Sequence, residues 1–131
     1  MKKQGILHPE ISELIAGMGH TDQLVIADAG LPIPDEVQRI DLALLKGIPS
    51  FLDTVRAILA DLEVQEAVVA EEICSKSPEL YEQLCALLGD IPITKIPHEE
   101  FKEWTFETKG VVRTGEFTPY ANVILISGVV F

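Results

Sequence analysis

The chain has 131 residues, a length typical of one domain, and its 47% hydrophobic and 24% charged residues are close to the average of globular proteins. Its 10 Lys and Arg against 21 Asp and Glu give a formal net charge of −11, which disfavours nucleic acids, anionic membrane surfaces and phosphorylated substrates, because each needs clustered positive charge. No apolar stretch reaches the ~20 residues of a membrane span and no signal peptide opens the chain, so we expect a soluble, cytoplasmic protein with a single domain over residues 1–131.

The first third of the chain predicts a helix, a buried strand and a second helix. The first helix is indicated by an apolar stripe at positions i, i+3, i+4 and i+7, formed by Ile11, Leu14, Ile15 and Met18. His20 follows the end of that helix. The continuous apolar run 24–27 is typical of a strand buried on both faces, and it ends at Asp28. A second apolar run covers 40–45, and Ser50 is then a candidate N-cap for the next helix.

The rest of the chain alternates between short strands and helices. The predicted elements are a strand at 67–70, a helix from Ser77-Pro78 to Gly89, a strand at 93–96, a short helix at 99–105 and a last strand at 122–127. The stretch that holds Gly110, Gly115 and Pro119 is expected to be a loop. This alternation predicts an α/β fold with a largely parallel sheet flanked by helices.

Two polar residues follow predicted strands, at the sheet edge where ligands bind in such folds. Asp28 can orient an imidazole or hold a hydroxyl group, although Asp after a strand also starts turns through its own side chain. His98 follows the strand at 93–96, and its alternative role is to cap the next helix.

His20 is the strongest candidate for chemistry. A histidine that titrates near pH 7 can both donate and accept a proton, which is what a general acid/base needs. The alternative is a structural role, because a positive charge just after a helix is stabilised by the helix dipole. Because Asp28 can orient an imidazole, its presence in the sequence favours the proton-transfer role of His20.

The segment 113–125 is the most distinctive stretch of the sequence. Pro119 fixes the backbone before Tyr120, whose ring and hydroxyl suit the apolar and polar faces of a polyol. Asn122 offers one acceptor and two donors to neighbouring hydroxyl groups. An aromatic residue at a strand edge and an Asn in a turn remain the structural alternative.

Motifs for other chemistries are absent from the sequence. Cys74 and Cys85 are expected to be buried, reduced thiols, and no HExxH pattern or close His pair predicts a metal site. Neither a phosphate-binding Gly-rich loop nor a GxSxG nucleophile elbow occurs. Proton transfer and plain binding are therefore the two functions that remain.

Two stretches together resemble the pyranase and fucose mutarotase family. The first is Gly-His-Thr-Asp at 19–22 followed by Val-Ile-Ala-Asp-Ala-Gly-Leu-Pro at 25–32. The second is Arg-Thr-Gly-Glu at 113–116 with Thr-Pro-Tyr-Ala-Asn-Val-Ile-Leu at 118–125. The resemblance covers the whole chain, and Ala121 after Tyr120 is more similar to the ribose branch of the family than to the fucose branch.

The resemblance implies a cytoplasmic isomerase that interconverts the pyranose and furanose forms of free D-ribose for catabolism, without a cofactor or a metal. It implies a functional link to a ribose transporter and to a ribokinase. By position, His20 matches the family's acid/base. The positions that match its sugar-binding residues are Asp28, His98, Tyr120, Ala121 and Asn122, with Ala121 acting through its main chain.

The same resemblance implies a homo-oligomeric ring, expected to be a decamer, whose active site is completed across a subunit boundary. A mean hydropathy of +0.25 and the apolar C-terminal residues 128–131 are consistent with surface covered by another subunit. Two alternatives remain: a mutarotase of another neutral sugar such as fucose, and a non-enzymatic sugar-binding or regulatory partner of a transporter.

Overall fold

A six-stranded sheet forms the centre of the computed structural model, which describes residues 1–131. Its strands are β1 (Gln23–Ala27), β2 (Gln38–Asp41), β3 (Val64–Ala70), β4 (Ile93–Ile96), β5 (Gly110–Arg113) and β6 (Val123–Ser127). Their order across the sheet is β2-β5-β1-β6-β3-β4. Five strands run in one direction, and β6 runs antiparallel to both of its neighbours, β1 and β3. The expectation of a largely parallel sheet is confirmed, with one reversed strand near its middle.

Helices cover both faces of the sheet. They are α1 (Pro9–Gly17), α2 (Phe51–Leu59), α3 (Glu72–Lys76), α4 (Pro78–Leu88) and α5 (His98–Trp104), followed by a short 3₁₀ turn at Thr105–Glu107. Ser50 caps α2 as predicted, since its hydroxyl accepts a hydrogen bond of 3.1 Å from the Asp53 amide. The proline at the start of α4 lacks an N–H that the first turn would leave unpaired in any case.

The core divides into two apolar layers, one on each side of the sheet. Leu24 and Ile26 of β1 face a layer built with α1, α2 and α4, whereas Val25 and Ala27 face a smaller layer that includes Phe101 of α5. All four β1 residues are fully buried. A strand buried on both faces explains why its sequence is continuously apolar and does not alternate.

The structure differs from the sequence-based prediction at three elements. Strand β5 lies within the stretch expected to be a loop, and it occupies an interior position between β2 and β1. Strand β2 covers 38–41 and includes only the start of the apolar run 40–45, to which the sequence assigned no element; Leu44 and Leu45 lie exposed beyond its end. The short helix α3 was not predicted. No helix of the protein is long and apolar enough to cross a membrane.

Candidate functional site

A cavity of about 580 Å³ opens at the edge of the sheet where β1, β4 and β5 end. It is lined by residues 28–32 after β1, by His98 after β4, and by Arg113 and residues 116–120 after β5. Because these three strands are parallel, their carboxyl ends meet at the same edge, which is where ligands bind in open α/β sheets. The volume is that of a small-molecule site.

Asn122 fixes the position of Asp28 at the cavity wall. The Asp28 amide donates to Asn122 Oδ1 at 2.8 Å, and Asn122 Nδ2 donates to Asp28 Oδ2 at 3.0 Å. The other carboxylate oxygen, Oδ1, accepts from the Gly30 amide at 2.9 Å. The carboxylate is therefore held from both sides, and Asn122, which is fully buried, acts on the cavity through Asp28.

His98 and Tyr120 form the aromatic part of the cavity. Their rings meet edge to face with centroids 5.0 Å apart, and the buried Nδ1 of His98 has no hydrogen-bond partner. Both carboxylate oxygens of Glu72 accept from the His98 amide at 3.0 Å, which anchors the start of α5. Tyr120 has a φ of +62°, a conformation that costs energy for a residue with a side chain and that is concentrated at functional sites.

Glu116 organises the loop that leads into Tyr120. Its Oε1 accepts from the Phe51 amide at the start of α2 at 3.0 Å, and its Oε2 accepts from the Thr118 hydroxyl at 2.8 Å. Its main-chain oxygen accepts from the Ala29 amide at 2.9 Å, which joins this loop to the one after β1. A carboxylate at a helix N-terminus is also favoured by the helix dipole.

Arg113 contributes the positive charge at the cavity. Its Nε donates to the Ala29 carbonyl oxygen at 3.0 Å, and its Nη1 contacts both oxygens of Asp41 at 3.0 and 3.1 Å. Burial acts to raise the pKa of Asp41, but the hydrogen bond from the Ala43 amide and the neighbouring guanidinium hold that pKa below its usual value. Arg113 is therefore paired to a carboxylate on β2.

His20 lies at the amino ends of the parallel strands, whereas the cavity lies at their carboxyl ends. His20 precedes β1, whereas Asp28 follows β1. The two ends of a five-residue strand lie roughly 15 Å apart. The His20 ring is exposed, and its Nε2 lies 2.9 Å from Gln65 Oε1. The interpretation that Asp28 orients His20 therefore fails within one chain, because the two residues stand at the two ends of the same strand.

The structure thus brings together part of the predicted site. Asp28, His98 and Tyr120 line the cavity, while Ala121 and Asn122 lie directly behind it and have no exposed surface. His20 is separate from all five. Sequence reasoning did not single out Arg113 and Glu116 as site residues, although both belong to the distinctive segment 113–125 and lie where an unpredicted strand ends.

The described residues contain no group of three or more His, Cys, Asp and Glu side chains placed to hold a metal ion. What the cavity offers is two carboxylates, an imidazole, a phenol and a guanidinium. These groups can form hydrogen bonds with a polar, neutral molecule that carries several hydroxyl groups.

The model of the RbsD / FucU transport protein family matches residues 1–130. Over its whole length the chain is 58% identical to the D-ribose pyranase of Coprothermobacter proteolyticus, which it covers completely. It is 56% identical over its whole length to the D-ribose pyranase of Geobacillus thermodenitrificans, of which it covers 99%. Its fold is similar to that of Bacillus subtilis RbsD complexed with D-ribose, with a TM-score of 0.97, 47% identity and full coverage of both chains.

Proposed function

The chain belongs to the RbsD / FucU transport protein family, and from that membership we propose that it is an isomerase that interconverts the pyranose and furanose forms of D-ribose. The observation that carries the proposal is the 58% identity, over the full length of both chains, to a D-ribose pyranase. The similarity to a solved relative in complex with D-ribose supports the same substrate.

The cavity chemistry is compatible with a free sugar. Opening a pyranose removes a proton from the anomeric hydroxyl, breaks the bond between C1 and the ring oxygen, and adds a proton to that oxygen. Closing the furanose removes the proton of the 4-hydroxyl as its oxygen attacks C1, and the carbonyl oxygen is protonated. One group that exchanges protons near neutral pH can serve both steps, and such a group accelerates a reaction by roughly 10²–10⁴-fold.

We assign the proton transfers to His20 and the binding of the sugar to the cavity. Asp28, His98 and Tyr120 hold the hydroxyl groups and Asn122 keeps Asp28 in place, while Ala121 contributes through its main chain. Because His20 lies beyond the other end of β1, a complete site needs His20 from one copy and the cavity of another. The oxidation state of the sugar does not change, so the reaction requires no redox cofactor.

Exposed apolar residues support this assembly at both edges. Near His20, the tail after β6 leaves Val130 and Phe131 85% and 101% exposed. Near the cavity, Leu44, Leu45 and Phe117 are more than half exposed. One apolar surface thus lies beside His20 and the other beside the cavity, which fits contact between copies of the chain. The assembly we propose is a closed ring of ten subunits.

We place the protein in the cytoplasm, where it supplies ribofuranose to a sugar kinase after ribose uptake. The net charge of −11 and the absence of a cluster of cations at the cavity fit a substrate that is taken up free and is not yet phosphorylated.

The test is saturation-transfer NMR on D-ribose with the purified protein. We expect magnetisation to pass between the pyranose and furanose signals faster than in buffer, and faster than between the forms of L-fucose. Binding of ribose without faster exchange would instead support the second candidate, a sugar-binding partner of a transporter, which the family's description as transport proteins favours. Faster exchange of fucose than of ribose would make the protein a mutarotase of another sugar.

A further inference from the structure

The His20 ring has one hydrogen-bonding side chain beside it, which is Gln65. The 2.9 Å contact joins His20 Nε2 to the amide oxygen of Gln65. An amide oxygen only accepts hydrogen bonds, so the proton in this contact must belong to Nε2. In the neutral imidazole the other nitrogen, Nδ1, then carries the lone pair.

Gln65 lies at an irregularity in the pairing of β3 with β6. The register of β3 against β6 shifts between Val64 and Glu66, so Gln65 is the additional residue of a β-bulge. A bulge redirects a side chain that the regular strand would point elsewhere, and bulges are frequent next to active sites. Gln65 is itself exposed, so its side chain contributes little to the core.

The turn that carries His20 is also held in a costly conformation. Thr21 has a φ of +69°, which is rare for a β-branched residue, and its amide donates to the Ser127 carbonyl oxygen at 2.9 Å. The Asp22 carboxylate accepts from the Gly19 amide at 2.9 Å and lies 3.8 Å from Lys109 Nζ. The charged side chains near His20, Asp22 and Lys109, thus pair with each other, and Gln65 remains as the partner of the ring.

Building on the proposed role of His20, we infer that Gln65 is a positioning residue that holds the imidazole with its proton on Nε2. The nitrogen that takes the proton from the sugar is then Nδ1, and the same nitrogen returns it to the ring oxygen. The Gln65 oxygen keeps its hydrogen bond in both the neutral and the protonated ring, so the imidazole need not reorient between the two steps.

The test compares two variants of the full-length protein. Gln65→Met keeps the length of the side chain but removes the acceptor, and we expect ribose exchange to slow about 3- to 10-fold, the effect of one hydrogen bond. Gln65→Glu keeps an acceptor and adds a charge that favours the imidazolium. We expect it to keep the parent rate at high pH while the acidic limb of its pH profile moves to higher pH. Gln83→Met, an exposed substitution on α4, is the matched control and keeps the parent rate and profile.

The tautomer is measured independently of turnover. Magic-angle-spinning ¹⁵N spectra of histidine-labelled protein distinguish protonated from unprotonated ring nitrogens, and the His20 signals are those that disappear in His20→Ala. We expect a protonated Nε2 and an unprotonated Nδ1 in the neutral ring. A proton on Nδ1, or a Gln65→Met variant with the parent rate and pH profile, would overturn the inference. A parent protein that binds ribose without exchanging it would overturn the proposed function, while the spectra still decide whether Gln65 holds the ring.

Discussion

Asp28 and His20 mark the two ends of β1, and their surroundings differ as their proposed tasks do. Asp28 is fixed by three hydrogen bonds at the cavity wall, which suits a group that holds a substrate in one orientation. His20 is exposed and has one side-chain partner, which suits a group that must reach a sugar bound elsewhere. Substitutions at these two residues should therefore affect different steps.

Replacing His20 with Ala should abolish most of the exchange and leave the fold intact. The side chain is exposed and belongs to no core cluster, so its loss removes the proton transfers and little packing. We expect ribose exchange to fall by roughly 10²-fold or more in saturation-transfer NMR. His8→Asn, which keeps an acceptor at the N-cap of α1, is the matched histidine control and should exchange ribose at the parent rate. A His20→Ala variant as fast as the parent would remove His20 from the mechanism.

Replacing Asp28 with Asn should weaken sugar binding more than it slows exchange at saturation. The two Asp28 oxygens accept from Gly30 and from Asn122, and an amide has a single oxygen, so one contact is lost together with the charge. We expect the Kd of ribose in calorimetry to rise about tenfold. Asp35→Asn, in an exposed position of the following loop, should leave it unchanged. Equal affinities in the parent and the Asp28→Asn variant would reduce Asp28 to a turn residue.

At the scale of elements, the sequence identified the strands and helices with a strong apolar pattern. Strand β1 and helices α1, α2 and α4 lie where their patterns predict them, within a few residues. Strand β5 was missed because only Val111 and Val112 are apolar between a glycine and an arginine, and its burial comes from the strands on either side. Local sequence carries no such information.

The site was predicted in part for a related reason. The carboxyl ends of the strands were identified, so Asp28 and His98 were placed at the edge where the cavity opens. The strand predicted between His20 and Asp28 already implied that the two residues lie at opposite ends of it, so the interpretation that Asp28 orients His20 overlooked the length of that strand. Gln65 was missed because a β-bulge depends on the register of two strands that are far apart in sequence.

The loop after β5 should tolerate no side chain at Gly115. A Cβ there would overlap the carbonyl oxygens of Leu45 and Ile48, which are backbone atoms and cannot rotate away. We expect Gly115→Ala to destabilise the protein by about 1–3 kcal/mol, seen as a lower Tm. Gly17→Ala is the control, because it points into open space at the end of α1 and should gain up to about 1 kcal/mol. A Gly115→Ala variant as stable as the parent would show that this loop can move aside.

The pair of Asp41 and Arg113 joins β2 to the cavity and should give a pH-dependent contribution to stability. Since the pKa of Asp41 is held below its usual value of 3.8 in the folded protein, the pair stabilises the fold at higher pH, and this contribution is lost as the pH falls below 3.8. The Asp41 side chain is 41% exposed, so we expect Asp41→Asn to cost no more than about 1 kcal/mol at pH 7.

Urea unfolding at pH 7 and at pH 3 measures this contribution. The difference in unfolding free energy between the parent and the Asp41→Asn variant should shrink at the lower pH. Asp35→Asn again serves as the control at both pH values. A difference that is the same at pH 7 and pH 3 would mean that charge is not the origin of the effect.

At the scale of the whole molecule, the last four residues should be needed for assembly. The Gly128 amide donates at 2.9 Å to the carbonyl oxygen of Glu63, the residue before β3, and the residues after Gly128 extend into solvent beside the turn that carries His20. Deleting residues 128–131 removes this apolar tail and leaves the core clusters untouched. We expect light scattering to show a smaller particle and ribose exchange to be lost with it.

Deleting Lys2 and Lys3 at the other terminus is the control for that truncation. It also shortens an exposed end, but it removes no apolar surface, and we expect neither mass nor activity to change. A full-length protein that is a monomer, or a truncated one that stays assembled and active, would contradict the proposed assembly.

The position of His20 and the cavity at opposite ends of one strand has an arithmetic consequence for such an assembly. In the proposed assembly each copy carries two half-sites that belong to different complete sites. Its His20 completes the cavity of one neighbour, and its own cavity receives His20 from another. An open row of copies always leaves one half unused at each end, whereas a closed ring uses every half. Closure of the proposed ring would give as many working sites as there are chains, and a newly made copy would have no catalytic turnover until it had found its neighbours.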